Sequence, residues 1–395
     1  LQQLPVYGKA PGLATPEISR SRQSLRQQFS STATPIIVEI SIAIGRTFWG
    51  PRLEAFVVSS IMRSTGVRMT LASLFRAAQK SLGISITPSH FYFPVPKMES
   101  FDGKDWRACR PCPAFDFGLP EQIQRLQTDL LPYAAECEFP ERPVAGNGHF
   151  HFNNGYFERV DAEVAWSFVR RGKPRRVVEV GSGNTTLILA AAVRQNAREG
   201  SPAEMISIEP HPAPFLKEGI PGLARLIEKP VQEVPLDRFR SLECGDLLFI
   251  DSTHVVTMDN DVLYECLRIL PELAPGVLVH FHDIFTPLDY PEKFVRTNLC
   301  FWSEQYLLEA FLSFNPAFKV VWAASAMQQF HSDVIREAFP EWQGSFARMP
   351  DELKVFTPTL DGINVWPCSF WITRTAAAQP NGAKPMPANG RSGRG

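Results

Sequence analysis

A run of β-branched residues that empties into two closely spaced glycines, and then into an apolar helix, is the feature that most constrains this chain. Residues 175–186, Arg-Arg-Val-Val-Glu-Val-Gly-Ser-Gly-Asn-Thr-Thr, carry it. Val177, Val178 and Val180 suit a strand covered on both faces, and the charged Glu179 inside that strand needs a buried partner. Gly181 and Gly183, with Ser182 between them, let the backbone turn sharply and lie against a ligand. Asn184, Thr185 or Thr186 can cap the helix that continues through Leu187, Ile188 and Leu189. Strand, glycine turn and helix in this order form the usual seat of an adenosine-type cofactor.

A Gly-x-Gly turn alone is a weak signal, because many turns need glycine and dinucleotide enzymes share it. The spacing downstream sharpens it. Residues 204–209, Glu-Met-Ile-Ser-Ile-Glu, read as a second apolar strand ending in Glu209, where a carboxylate can hydrogen-bond both ribose hydroxyls. A nicotinamide or flavin site expects a third glycine for packing around a pyrophosphate, and Thr186 stands there instead. A ligand without a pyrophosphate fits better, and S-adenosylmethionine is such a ligand. On this reading its ribose meets Glu209, and its methionine part lies by Glu179, Gly181, Ser182 and Gly183.

From about Phe150 to Trp371 the chain resembles the class I S-adenosylmethionine-dependent methyltransferases. Asp246 to His254, Asp-Leu-Leu-Phe-Ile-Asp-Ser-Thr-His, look like the fourth strand of that fold, and Gly276 to Phe285, Gly-Val-Leu-Val-His-Phe-His-Asp-Ile-Phe, like the fifth. Glu-Val-Gly-Ser-Gly, Phe-Ile-Asp-Ser-Thr-His and His-Phe-His-Asp-Ile-Phe, in this order, resemble a bacterial subfamily. The resemblance implies an α/β, Rossmann-like sheet of seven strands with the last strand antiparallel, preceded by an N-terminal extension. It also implies that Asp251, His254, His282 and Asp283 converge at the carboxyl ends of the strands, near the transferable methyl, with Asp251 also touching the cofactor. In metal-dependent O-methyltransferases among the wider relatives, an acid after strand four and a pair after strand five hold magnesium. By position, Asp251, His282 and Asp283 are the candidate ligands of a divalent metal. His282 departs from that pattern, since magnesium prefers oxygen and a histidine suits manganese, iron or zinc.

His280 and His282 share one face of their strand, and His254 follows the neighbouring strand, so all three are placed to reach one crevice. Imidazole titrates near neutrality, which makes His254 or His282 a candidate base for an acceptor hydroxyl, with Asp251 as an alternative base or as orienter. Methyl transfer is an in-line displacement, so most of the work is placing the acceptor, and a base is helpful but optional.

The rest of the chain divides unevenly. Residues 1–90 form a poorly defined arm with one amphipathic helix expected over Met69–Leu82. Residues 91–149, dense in proline and aromatics, form a lid or cap segment. Residues 150–374 are the methyltransferase domain, and 375–395 a disordered tail. A formal net charge of −1 and the lack of a basic run with interleaved aromatics argue against a nucleic-acid partner, while the resemblance to O-methyltransferases implies a small-molecule or sugar acceptor carrying a hydroxyl. No run of about eighteen apolar residues spans a membrane, and a cytoplasmic location is expected. Seven irregularly spaced cysteines read as reduced thiols, and Cys109-Arg-Pro-Cys112 lacks the second pair of a zinc site. Two other readings stand beside this one: a Rossmann-type oxidoreductase and a non-catalytic cofactor-binding module.

Overall fold

Strand β1 (Arg176–Val180) lies third across a seven-stranded sheet. It pairs in parallel with β2 (Glu204–Ile208) on one side and β4 (Leu247–Ile250) on the other. Outward from these, β3 (Arg225–Ile227) runs parallel to β2, and β5 (Leu278–Phe281) parallel to β4. The final strand, β9 (Phe370–Arg374), inserts antiparallel between β5 and β6 (Phe318–Ala323). The order is β3-β2-β1-β4-β5-β9-β6, and a separate two-stranded hairpin joins β7 (Thr359–Leu360) to β8 (Ile363–Asn364). This is the expected α/β sheet with its last strand antiparallel.

The computed structural model describes residues 79–80, 94–111, 114–144, 148–351, 354, 359–360, 363–364 and 367–376. Most of the N-terminal arm, most of the helix expected over 69–82, Cys112 and the tail from 377 lie outside the described residues; 79–80 are helical. The chain divides into two units, residues 5–101 and residues 1–4 with 102–395. In the first, the described residues include a 3-10 turn, Met98–Phe101. The second holds the sheet.

Alternation along the strands sends side chains to two separate cores. Val177, Met205, Leu247 and Phe249 point to one face, where α1 (Asp161–Gly172) and α2 (Asn184–Arg198) cover them with Phe168, Val169, Ile188 and Leu189. Val178, Val180, Leu248, Ile250, Val279 and Phe281 point to the other, under Cys266, Ile269, Leu308 and Leu312. Burial on both faces explains why these strands read as apolar runs, each buried valine, leucine or phenylalanine contributing about 1.5–3 kcal/mol. From Leu119 to Ala134 the proline-rich segment expected as a cap turns helical, and Leu126 and Leu130 join the first core, fully buried.

Several helices differ in detail from expectation. Residues 259–270, whose apolar spacing reads as one helix, are α-helical only over Asp261–Tyr264, capped by the Asn260 side chain on the Leu263 N–H at 3.3 Å, and then pass through π and 3-10 turns. The stretch 301–312, amphipathic from Phe301 on in sequence, becomes helical only at Glu304, as α3 (Glu304–Leu312). Six described cysteines are free thiols. No helix among the described residues is long and apolar enough to cross a membrane.

Register sets the site. Val180 pairs with Ile250, and Ile250 with Phe281, so the three central strands end level. The ladder runs one step further, with the Asp251 N–H on the Val180 carbonyl at 2.8 Å and the His282 N–H on the Ile250 carbonyl at 3.0 Å. Gly181, Asp251 and His282 therefore leave the sheet side by side.

Candidate active site

The glycine turn is built on Glu179. Its side chain is fully buried and accepts hydroxyls from Thr185 and Thr186, each at 2.8 Å, and from Ser207 on β2. Burial raises its carboxyl to about 7, against the pull of those three donors. The buried partner that the sequence demanded is thus a set of hydroxyls. Thr186, standing where a dinucleotide site has its third glycine, also accepts the Gly183 N–H at 3.1 Å, so the threonines tie the turn to the strand behind it.

The two glycines answer different needs. Gly181 has φ +81°, and a Cβ on it would sit 1.8 Å from the backbone oxygen of Asp251, so the close crossing of the β1 and β4 ends admits no side chain. Around Gly183 a Cβ would meet nothing within 4 Å. Between them, the buried Ser182 Oγ has no hydrogen-bond partner among the described residues. Glu209 lies alongside: its carboxylate accepts the Ser182 N–H at 3.3 Å and the His211 N–H at 2.7 Å. Open space, an orphaned hydroxyl and a carboxylate together suit the polar end and ribose of an adenosine-type ligand. Asn154, by contrast, spends its side chain on a turn, bonding the carbonyls of His151 and Phe157 and the N–H groups of Tyr156 and Phe157.

Beyond the turn the four residues expected to converge do so. His254 Nε2 lies 3.5 Å from Asp251 Oδ1 and 3.4 Å from Asp283 Oδ2; His282 Nδ1 lies 3.4 Å and 3.6 Å from the same two oxygens. Asp251, His282 and Asp283 offer ligand atoms that all lie within 4.8 Å of one another. The side chains of His254 and Asp283 are fully buried and that of His282 nearly so, whereas Asp251 keeps 13% exposure and forms the mouth of the cluster. His280 does not join them. Its ring stacks on Phe249 at 3.7 Å, its Nε2 meets Ser369 Oγ at 3.0 Å, and burial holds it well below the usual imidazole range, a neutral packing residue.

Residues the motifs did not announce support this cluster. Glu304, the first residue of α3, holds His254 Nδ1 at 2.8 Å, while the His254 carbonyl accepts the N–H groups of Ser303 and Glu304. Trp302 packs on the His254 ring at 4.6 Å. Behind His282, Cys368 Sγ lies 3.6 Å from Nε2 and 3.4 Å from Asp283 Oδ1, and Asp161 accepts the N–H groups of Cys368 and Ser369 at 2.8 and 3.0 Å. Glu304 opens α3, and its place in an amphipathic stretch is the only sequence signal that could have drawn notice to it. Asp161 could have been noticed as an acid opening a helix, but nothing in sequence links it to Cys368.

Electrostatics follow from this packing. Burial works against a charge on His254, but Asp251, Glu304 and Asp283 outweigh it and push the imidazole up to about 10. Burial likewise opposes ionisation of Asp251, yet His282 and His254 hold its carboxyl well below the usual carboxylate range. His282 is raised too, its desolvation overcome by Asp283 and Asp251. The carboxylates around His254 thus favour its charged form, and an imidazolium has no lone pair with which to take a proton.

Residues 178–284 match a family described as a methyltransferase domain. An uncharacterized protein of Archaeoglobus fulgidus is 31% identical over 180 residues, covering 43% of this chain and 80% of that protein. A Plasmodium falciparum structure described as a protein-L-isoaspartate O-methyltransferase in complex with S-adenosyl-L-homocysteine covers 41% of this chain and 75% of its own, at 14% identity and a TM-score of 0.23, a likeness that carries no argument about this site.

Proposed function

We propose that the chain, whose residues 178–284 match a methyltransferase domain, uses S-adenosylmethionine to methylate a hydroxyl of a small molecule or sugar. The observation that carries the reading is the turn at Gly181–Gly183, where an orphaned Ser182 hydroxyl and open space at Gly183 stand beside the Glu209 carboxylate. Glu209 takes the ribose hydroxyls, and Ser182 with the Gly183 backbone takes the methionine end. Glu179 works one layer back, holding the turn in shape through Thr185 and Thr186. When bound, S-adenosylmethionine supplies a methyl on a sulfonium centre, open to in-line displacement.

The chain's own part is to place the acceptor in line with that methyl and to receive its proton. Asp251 stands between the turn and the buried cluster. Its backbone touches Gly181, and its side chain is the most exposed of the four. The acceptor hydroxyl donates to Asp251, and His254, His282 and Asp283 fix the orientation of that carboxylate.

Calorimetry tests the cofactor assignment directly. S-adenosylmethionine and S-adenosylhomocysteine should bind and nicotinamide cofactors should not. Glu209→Ala removes a bidentate, charged acceptor, and should weaken binding by about tenfold to a hundredfold, the equivalent of about 1.5–3 kcal/mol. Unchanged affinity in that variant sinks the assignment.

A further inference from the structure

We infer that a second binding site lies at the amino ends of the strands, the opposite end of the sheet from the cluster at Asp251, and that it takes a small amphipathic carboxylate such as a medium-chain acid. A cavity of about 240 Å³ opens there between the last turn of α1, the helical segment that follows Leu119, and the sheet. Leu247 and Leu278, the first residues of β4 and β5, both line it. Asp251 stands four residues further along β4, or about 13 Å at roughly 3.3 Å per residue, so this cavity is separate from the crevice assigned to the cofactor.

Its walls suit hydrocarbon. Phe168 of α1, Leu247, Leu278 and Val321 of β6 present apolar side chains to the space, and glycine keeps it open at two further places. Gly172 ends α1 and Gly245 stands two residues ahead of β4; a Cβ on either would meet nothing within 4 Å. An apolar cavity of about 150 Å³ holds a benzene molecule. By proportion, the 240 Å³ here accommodates about ten non-hydrogen atoms, the size of octanoate.

The charge around it is one-sided. Arg125, Arg171 and Lys319 line the cavity with a single acid, Asp129, and three cations against one acid leave an excess of two positive charges. Asp129 is engaged by Arg171 at 3.1 Å and reached by Arg125 only at 3.9 Å, while Lys319 makes no ion pair among the described residues. More telling is the Arg125 Nε, which is buried and has no hydrogen-bond partner among the described residues. An unpaired buried donor is costly, and a carboxylate is the acceptor that a guanidinium pairs with best. A neutral apolar ligand would leave that donor unpaired, and a cationic one would meet like charge. The structure thus asks for an anionic head at Arg125 and Lys319 and a short hydrocarbon body against Phe168 and Leu278.

Three probes of one chain length test this: octanoate, 1-octanol and octylamine, each titrated into the full chain by calorimetry. Octanoate should bind with a dissociation constant below about 1 mM, 1-octanol at least about tenfold more weakly, and octylamine not at all. Arg125→Gln should weaken octanoate by about tenfold or more and leave 1-octanol unchanged. Gly172→Leu, at a helical position with room for a side chain, should fill the cavity and abolish octanoate binding, while the melting temperature stays at or above that of wild type because leucine favours helix. Glu209→Ala should bind octanoate as wild type does, which separates this cavity from the cofactor crevice. If Gly172→Leu does not fold, Arg125→Gln decides. The inference is overturned if octanoate does not bind, if octylamine binds as tightly, if Glu209→Ala abolishes octanoate binding, or if Arg125→Gln or a folded Gly172→Leu binds octanoate like wild type.

Discussion

Substituting alanine at each glycine of the turn should give opposite results, and the contrast separates a folding requirement from a binding one. At Gly181 the added Cβ would lie 1.8 Å from the Asp251 oxygen and 2.6 Å from its carbonyl carbon, where non-bonded contact begins near roughly 3.5 Å. Both obstacles are backbone, so one strand end must retreat by more than about an ångström. Left-handed φ adds about 1–2 kcal/mol for a residue with a Cβ, and overpacking of this kind about 1–3 kcal/mol. Gly181→Ala should therefore lose about 2–5 kcal/mol, a large share of the roughly 5–15 kcal/mol a domain has. Gly183, with extended φ of −178° and nothing within 4 Å, should accept alanine within about 0.5 kcal/mol. Yet its Cβ enters the space assigned to the cofactor, so S-adenosylmethionine affinity should fall by about tenfold or more. Urea unfolding followed by tryptophan fluorescence gives the first quantity and calorimetry the second. Equal stability of the two variants would refute the crossing argument, and full affinity in Gly183→Ala would refute the placement of the ligand.

Two further tests concern buried acids. Glu158 is 5% exposed, accepts the Gly155 N–H at 3.1 Å, and burial raises its carboxyl from 4.5 to about 8. Its folded pKa lies above the unfolded one, so between about pH 4.5 and 8 the unfolded chain is ionised there while the folded chain keeps its proton. Stability should fall as pH rises through that window, by at most about 1.4 kcal/mol per pH unit from this group; Glu158→Gln should flatten the slope in unfolding curves from pH 5 to 8, and an unaltered slope counts against the assignment. Asp161→Ala strips the acceptor from the buried N–H groups of Cys368 and Ser369 and should cost about 2–4 kcal/mol, with Asp161→Asn milder; a loss below about 1 kcal/mol means those groups find other partners.

Much of the fold was legible because its signals are local. Strands buried on both faces must be mostly apolar, and β1, β2, β4 and β5 are; the strand, glycine turn and helix over 175–189 and the strands ending at Glu209, Asp251 and His282 stand within a few residues of expectation. Where helices were misjudged, the cause was mixed geometry: the stretch after Asp259 alternates α, π and 3-10 turns, which share one apolar spacing closely enough to read as a single helix. The segment ahead of the sheet was obscured by its prolines. Pro120 and Pro132 sit in the first turns of short helices, where a missing N–H costs nothing, rather than forbidding helix there.

The site was legible to the extent that it follows strand ends. Asp251 and His282 are the first residues past level strands, so sheet register alone brings them together. His254 is different. Three residues of loop separate it from β4, and it returns to the cluster only because its left-handed φ turns the chain back and α3 grips it twice, through the Ser303 and Glu304 N–H groups on its carbonyl and the Glu304 carboxylate on its ring. Those contacts cross about fifty residues of chain and carry no periodic signal. A still longer separation, 85 and 86 residues, hid Cys368, which reaches Asp283 and His282 only because β9 inserts beside β5 and brings the residues leading into it to the carboxyl end of that neighbour. An antiparallel strand starts where its parallel neighbours finish, so the two residues before β9, Cys368 and Ser369, fall at the crevice end by topology. In a sheet of this order, the position just ahead of the antiparallel strand belongs among the candidate site residues from the outset.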